Sequence, residues 1–276
     1  MNPVSAFFQG AESAGTVWIT DFDGVLFRGR FPGWTQGISN AEFGTAFLAL
    51  HGAQPLRWLR ILGGLLRIAR LGRQLNLRLQ AGELARREAE ILLIRQFTEQ
   101  VLRPGLPERL EPAGRRAARF CNADAFEVLC GIRGKIAALL ILSKAFMPVL
   151  ESAAERLRRE CGLEPILRGV PLNTAPSIQI APGRAPVLTG RDKADHLRRL
   201  AARRPEWKRA LCVGDTEEDI PMFAAARELF GSDRTCCLAV PARDRAIARV
   251  ADAVFPSWAE VRRGLLGESP DRTHLR

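Results

Sequence analysis

The chain has 276 residues, enough for one large domain or for a core domain with a smaller companion. Hydrophobic residues make up 47% and charged residues 26%, which excludes a disordered chain and supports a sizeable buried core. A formal net charge of +11 favours anionic partners without choosing among phosphorylated molecules, nucleic acid and membrane surfaces.

Six cysteines and three histidines are present, with no C-x-x-C pair, so a zinc site is not expected. The dispersed cysteines read as mostly buried free thiols in a reducing compartment. Met1 to Gly15 lacks a basic start followed by a long apolar run, so no secretory signal is read there and the cytoplasm is the expected location. The longest apolar stretch, around Ile136 to Leu150, is interrupted by Lys144 and Pro148 and is not a membrane span.

Taken in chain order, Thr16 to Thr20 (TVWIT) is short, apolar and β-branched, and predicts a buried strand ending at Asp21. A loop rich in Gly and Arg follows, from Gly24 to Gly37. From Ala41 to Gln100, Leu, Ile and Ala recur at helical spacing, with breaks expected at Pro55, Gly72 and Gly82. Helices are predicted over Pro107 to Phe120 and Ala123 to Ile132. The continuous apolar run Ile136 to Leu142 predicts a fully buried strand ending at Ser143. Phe146 to Cys161 reads as a helix closed by Gly162 in the C′ position. Short strands are expected at Ile166-Leu167, Ser177 to Ile180 and Val187-Leu188, and a helix from Asp192 to Arg203. Arg209 to Val213 is a further apolar strand, running into Gly214-Asp215. A helix, a strand at Cys236 to Val240, a helix near Asp244 to Val250, a short strand at Ala253 to Phe255 and a helix from Ser257 complete the pattern. Gly267 to Arg276 reads as a loose tail. The alternation implies a doubly wound parallel α/β sheet, and ligands of such sheets sit at the carboxyl ends of the strands. Asp21, Ser143 and Asp215 all fall there.

Four short motifs carry chemistry. In Asp21-Phe22-Asp23-Gly24-Val25-Leu26, two carboxylates one residue apart at a strand end repel each other unless a cation neutralises them. Ser143, after the apolar run, can donate to a phosphate oxygen. Lys193 stands at a helix start, where the macrodipole disfavours a cation unless an anion is near. In Val213-Gly214-Asp215-Thr216-Glu217-Glu218-Asp219-Ile220-Pro221-Met222, Asp215 can reach a metal from the strand end and Asp219 can coordinate or orient its ligands. The same stretch also reads as a capping box with Thr216 or Asp215 as N-cap, and both readings hold together.

In this order and placement, the four motifs resemble the haloacid dehalogenase-like hydrolase superfamily, nearest its phosphoserine-phosphatase-like branch. That branch shows a GDSxxDxPM stretch similar to 214–222 and a TGxxxK segment similar to Thr189 to Lys193. The likeness covers residues 14–27 and 103–260. It implies a Rossmann-like core from 1–30 and 101–276, with an inserted α-helical cap at 31–100. It also implies an Mg²⁺-dependent phosphatase with Asp21 as nucleophile and Asp23 as acid and base. Mg²⁺ would be held by Asp21, the Asp23 carbonyl and Asp215 with Asp219 in support, and Ser143 and Lys193 would bind the phosphoryl oxygens. A phosphomutase, a lipid-phosphate phosphatase and a non-catalytic binding protein on the same scaffold are the alternatives.

For the substrate, the phosphoserine enzymes of this branch place a carboxylate just past the first motif, where this chain has Arg28 and Arg30. With Lys144, these cations lead to the expectation of a small phosphorylated substrate bearing a second anionic or polar group. Nucleic acid is not expected, because no recognition motif and no Tyr is present. The stretch 56–71 carries Arg57, Arg60 and Arg67 on one helical face. It is read as a packed cap helix with a wet basic side, with contact to an anionic membrane surface as the less favoured reading.

Overall fold

The computed structural model describes residues 7–8, 15–29, 38–175, 177–183, 185–241 and 245–266. Arg30 and the expected tail from Gly267 lie outside them. The strands are β1 (Thr16–Thr20), β2 (Ala138–Phe146), β3 (Ile166–Val170), β4 (Leu172–Asn173), β5 (Gln179–Ile180), β6 (Arg209–Gly214), β7 (Thr235–Ala239) and β8 (Ala253–Val254). Six of them form one parallel sheet in the order β3-β2-β1-β6-β7-β8. β4 and β5 pair antiparallel as a separate ribbon.

The helices are α1 (Ile38–Ala49), α2 (Pro55–Gln80), α3 (Arg86–Phe97), α4 (Leu110–Ala117), α5 (Ala123–Ile132), α6 (Met147–Cys161), α7 (Gly190–Ala201), α8 (Ile220–Phe230), α9 (Arg245–Val250) and α10 (Trp258–Leu266). Alternation along the strands sorts the core into two layers, since successive strand side chains face opposite ways. Trp18, Leu139, Ile141, Leu211, Val213 and Leu238 pack with α4, α5, α6 and α10 on one face. Val17, Ile19, Leu140, Leu142, Ala210 and Cys212 pack with α7, α8 and α9 on the other. Trp18 stacks on Trp258 at 6.3 Å between ring centroids, and the Trp258 indole donates to the Val25 carbonyl at 2.9 Å. Among the described residues, no helix is long and apolar enough to cross a membrane.

Between β1 and β2 no strand intervenes among the described residues. Pro55 opens α2 and Gly82, with φ +71, follows its end, as the sequence predicts. Gly72 does not break α2, which runs unbroken over 26 residues. One interior Gly costs a helix only about 1 kcal/mol relative to Ala, and packing of Ile61 and Leu75 exceeds that. A single π-helical turn, Thr98–Leu102, follows α3. Gly64 lets α2 lie flush on it, because a Cβ there would stand 2.1 Å from the Gln100 carbonyl oxygen.

Other boundaries also move. β2 continues past Ser143 to Phe146, with a register shift between Leu142 and Phe146 where it pairs with β3. Val187-Leu188 is not a strand. Gly162 closes α6 in the left-handed region at φ 66, as read from the sequence. Cys130 and Cys161 are joined by a disulfide, which corrects the free-thiol reading for that pair, while Cys121, Cys212, Cys236 and Cys237 are free and buried.

Candidate active site

The sheet order places β1 beside β6, with the chain winding one way through β2 and β3 and the other way through β7 and β8. That reversal is the topological switch point at which open α/β sheets bind ligands. Thr20 pairs with Val213, so Asp21 and Gly214-Asp215 leave the sheet side by side. Asp21, Asp215 and Asp219 each bring a carboxylate oxygen within 4.8 Å of the others, and all three are buried.

Asp21 is fixed from three directions. Its N–H donates to the Val213 carbonyl at 3.1 Å. Its Oδ1 accepts from the Phe22 N–H at 2.7 Å, and its Oδ2 lies 2.9 Å from Lys193 Nζ. Burial, the largest influence, pushes the Asp21 carboxyl up to about 7, against the downward pull of Lys193.

Lys193 is 1% exposed and also donates to Asp219 Oδ1 at 2.7 Å. Burial lowers its pKa, but Asp21 and Asp219 together hold it well above the ordinary lysine value. A cation in the first turn of α7 thus has the anions that the helix dipole requires. Thr189 caps α7 in a reciprocal box with Asp192, which fixes the direction from which Lys193 enters the cleft.

Asp219 uses both oxygens within the protein, since its Oδ2 accepts from the Asp215 N–H at 3.0 Å and the Thr216 N–H at 3.4 Å. It braces the loop and neutralises Lys193, and Thr216 and Asp219 form the capping box that the sequence anticipates. Asp23 accepts from the Ser39 N–H at 2.9 Å through Oδ1, while its buried Oδ2 has no hydrogen-bond partner. Burial raises the Asp23 pKa, opposed by the Ser39 hydrogen bonds.

Three glycines make this convergence possible. Gly24 has φ +80, and a Cβ there would stand 2.0 Å from Asp215 Oδ2. A Cβ on Gly214 would meet Asp219 Cβ at 2.4 Å, and one on Gly190 would meet the Glu218 carbonyl oxygen at 1.9 Å.

Ser143 is fully buried within β2, three residues before its end, and its Oγ accepts from the Ala145 N–H at 3.1 Å. Lys144 is committed elsewhere. Its Nζ lies 2.7 Å from Glu218 Oε2 and 3.0 Å from Glu90 Oε1, which neutralises it within the protein. Arg28 is exposed, just past the first motif. On α2, Arg57 donates to the Pro104 carbonyl at 3.0 Å and Arg67 to Gln100 Oε1 at 2.6 Å, so two of the four arginines of 56–71 are tied to the π-turn and the residues after it.

Several participants carry no signal of their own in the sequence. Ser39 and Asn40 reach the site because the start of α1 folds back over the first motif. Asn40 bridges to β2, donating to the Lys144 carbonyl and accepting from the Phe146 N–H, both at 3.0 Å. Arg86, Arg87 and Glu90 of α3 arrive by tertiary packing alone. Arg86 pairs with Glu218 at 2.5 Å and Glu217 at 3.3 Å, and Arg87 pairs with Asp192 at 3.3 Å.

The donor set suits Mg²⁺ by its chemistry, since clustered hard carboxylate oxygens at a strand end are what that ion takes. The site as a whole presents a buried carboxylate beside a buried cation, and a second buried carboxyl whose pKa burial raises. That combination can attack an electrophilic centre bearing negative oxygens and protonate its leaving group.

No family model and no curated protein sequence matches the chain. Among solved structures, a phosphoserine phosphatase in a phospho-aspartyl intermediate analogue form is 16% identical, covers 91% of this chain and 99% of its own, and has a TM-score of 0.55. A haloacid dehalogenase family hydrolase from Salmonella enterica subsp. enterica serovar Typhi is 14% identical, with coverage of 94% and 73% and a TM-score of 0.59. A cytosolic 5′-nucleotidase IIIB bound to cytidine is 13% identical, with coverage of 96% and 88% and a TM-score of 0.63.

Proposed function

Because the chain carries the fold of the haloacid dehalogenase-like phosphatases, we propose that it hydrolyses a small phosphomonoester through an aspartyl-phosphate on Asp21. The observation that carries this reading is the meeting of Asp21, Asp215 and Lys193 at the switch point of the sheet. In the same reading, 31–100 is a cap domain over a core made of 1–30 and 101–276, and the cytoplasm is its place of action.

Asp21 attacks phosphorus, and the bond from phosphorus to the ester oxygen breaks. Asp23 gives its proton to the departing alcohol. Burial raises its pKa, which favours carrying that proton, and Oδ2 is the oxygen left free to carry it. A water then attacks the phosphorus of the aspartyl-phosphate and gives Asp23 its proton. The acyl-phosphate bond breaks, which restores Asp21 and releases inorganic phosphate.

Lys193 and Ser143 hold the phosphoryl oxygens, and Lys193 offsets the clustered charge. Mg²⁺ would be held by Asp21, Asp215 and the Asp23 carbonyl, with Asp219 bracing them, and when bound supplies charge neutralisation on the phosphoryl oxygens.

The test is phosphate release from a panel of phosphomonoesters, with and without Mg²⁺, for the wild type and Asp21→Asn. The wild type is expected to turn over at least one compound only with Mg²⁺, and the variant to lose at least about 10³-fold in kcat with its fold intact by circular dichroism. Equal activity of the two proteins on every compound would remove Asp21 from the mechanism.

A further inference from the structure

A cavity of 620 Å³ lies between α1, α2 and α3. Its size falls within the range of small-molecule sites. Leu65, Ile68 and Gly72 of α2 face Leu93, Ile94 and Phe97 of α3 across it, and Asn40 and Lys144 are also in its wall. These last two residues adjoin, in the chain, residues of the proposed reaction centre. Asn40 follows Ser39, which holds Asp23, and Lys144 follows Ser143 in the last residues of β2 before Phe146.

The polar groups on that side are already satisfied. Asn40 spends its amide on the backbone of β2 in both directions. Lys144 is paired with Glu90 and Glu218. Thr45, also in the wall, donates its hydroxyl to the Glu42 carbonyl at 2.9 Å. Arg73 and Asn76 also line the cavity, on its exposed side, so its apolar depth between α2 and α3 suits an apolar chain while its polar rim stays in water.

Resting on the phosphatase reading of the same site, we propose that this cavity takes the chain of the substrate alcohol, and that the substrate is the phosphomonoester of an apolar, long-chain alcohol. The outer face of α2 fits delivery from a lipid surface. It exposes Leu59, Leu66 and Leu77 beside Arg70, and the helix has six arginines and no acidic residue. A free amphiphile would present the same chemistry.

The test is kcat/KM with Mg²⁺ across ethyl, butyl, hexyl, octyl and decyl phosphate, kept below their critical micelle concentrations, with phosphoserine as the polar comparator. Each added methylene is expected to raise kcat/KM about three- to fourfold until the cavity is filled. Gly72→Leu is expected to flatten that rise. A Cβ at Gly72 meets nothing nearer than Leu93 Cδ1 at 4.0 Å, and Leu is a better helix former than Gly. Ala69→Leu, in the same wall, serves if Gly72→Leu melts early.

Binding of octyl- against ethylphosphonate to the wild type, read by calorimetry, tests the subsite without turnover. Turnover of phosphoserine and ethyl phosphate as fast as octyl phosphate, with equal phosphonate affinities, would overturn the apolar subsite and leave the phosphatase reading standing. No release from any ester, together with tighter octylphosphonate binding, would overturn the phosphatase reading and leave the subsite. Decyl phosphate dispersed in anionic vesicles separates the sources. A faster rate there than with the monomer assigns a membrane lipid, and a slower one assigns a free amphiphile.

Discussion

Lys193 is the side chain whose removal should be felt most. It is the cation between Asp21 and Asp219, both buried, and each is within 3 Å of its ammonium by the distances of 2.9 and 2.7 Å. Breaking one partner out of a buried ion cluster typically costs about 3–5 kcal/mol, because the charges left behind are uncompensated. Lys193→Met is therefore expected to lower unfolding free energy in urea by about that amount. Adding Asp219→Asn to the same chain should recover part of the loss, a coupling that a double-mutant cycle measures.

His196, three residues further along α7, gives a pH signature. Burial lowers its pKa, with Arg199 and Arg168 adding to the effect, while Asp192 and the hydrogen bond to the Ala185 carbonyl oppose it. The unfolded chain then takes up the proton first. Stability is present above the unfolded value of about 6.5 and is lost as pH falls through it towards the folded pKa. Thermal melts of the metal-free protein between pH 8 and pH 5 are expected to fall faster for the wild type than for His196→Gln.

At the scale of elements, α3 is tied to the core at its first turns. Arg86, Arg87 and Glu90 reach Glu217 and Glu218, Asp192, and Lys144 respectively. These contacts touch the loop that carries Asp215 and the cap of α7 that aims Lys193. The ties differ in worth. Arg86 is partly exposed, so Arg86→Ala should cost no more than about 1 kcal/mol. Lys144→Met strands Glu90 and leaves Glu218 with Arg86 alone in a largely dry place, and should cost about 3 kcal/mol. Urea denaturation of the two variants checks the ranking.

Much of this architecture was legible in the chain. Strands that are apolar on both faces announce themselves as unbroken runs, and the apolar runs of β1, β2 and β6 each lead to a residue of the proposed site. Asp21, Ser143 and Asp215 could therefore be located before any contact was known. The end of β2 was hidden because an irregularity lets a strand resume after a serine and a lysine. The partners of Lys144 were hidden for a different reason. Glu90 is 54 positions away, and nothing local in an Arg- and Glu-rich helix tells which charge will meet the core. The continuity of α2 through Gly72 was decided by side chains that pack elsewhere along it.

Across the whole molecule, the net charge of +11 acts on encounter rather than on fold. A doubly charged phosphomonoester is drawn in by that field, and salt weakens the attraction over a Debye length of about 10 Å at 0.1 M. kcat/KM is expected to fall severalfold between 20 and 200 mM NaCl, with kcat little changed. The slope should be shallower below pH 6, where the substrate carries one charge. Stopped assays across that salt range at two pH values measure it.

Gly24, Gly190 and Gly214 impose a limit on heredity. At each, the space a single methyl group needs is already filled by Asp215, by the Glu218 backbone or by Asp219. A lineage can exchange many exposed arginines of this chain and keep its chemistry. Gaining one carbon at any of these three places pries the acids apart while leaving every ionisable residue in the sequence untouched.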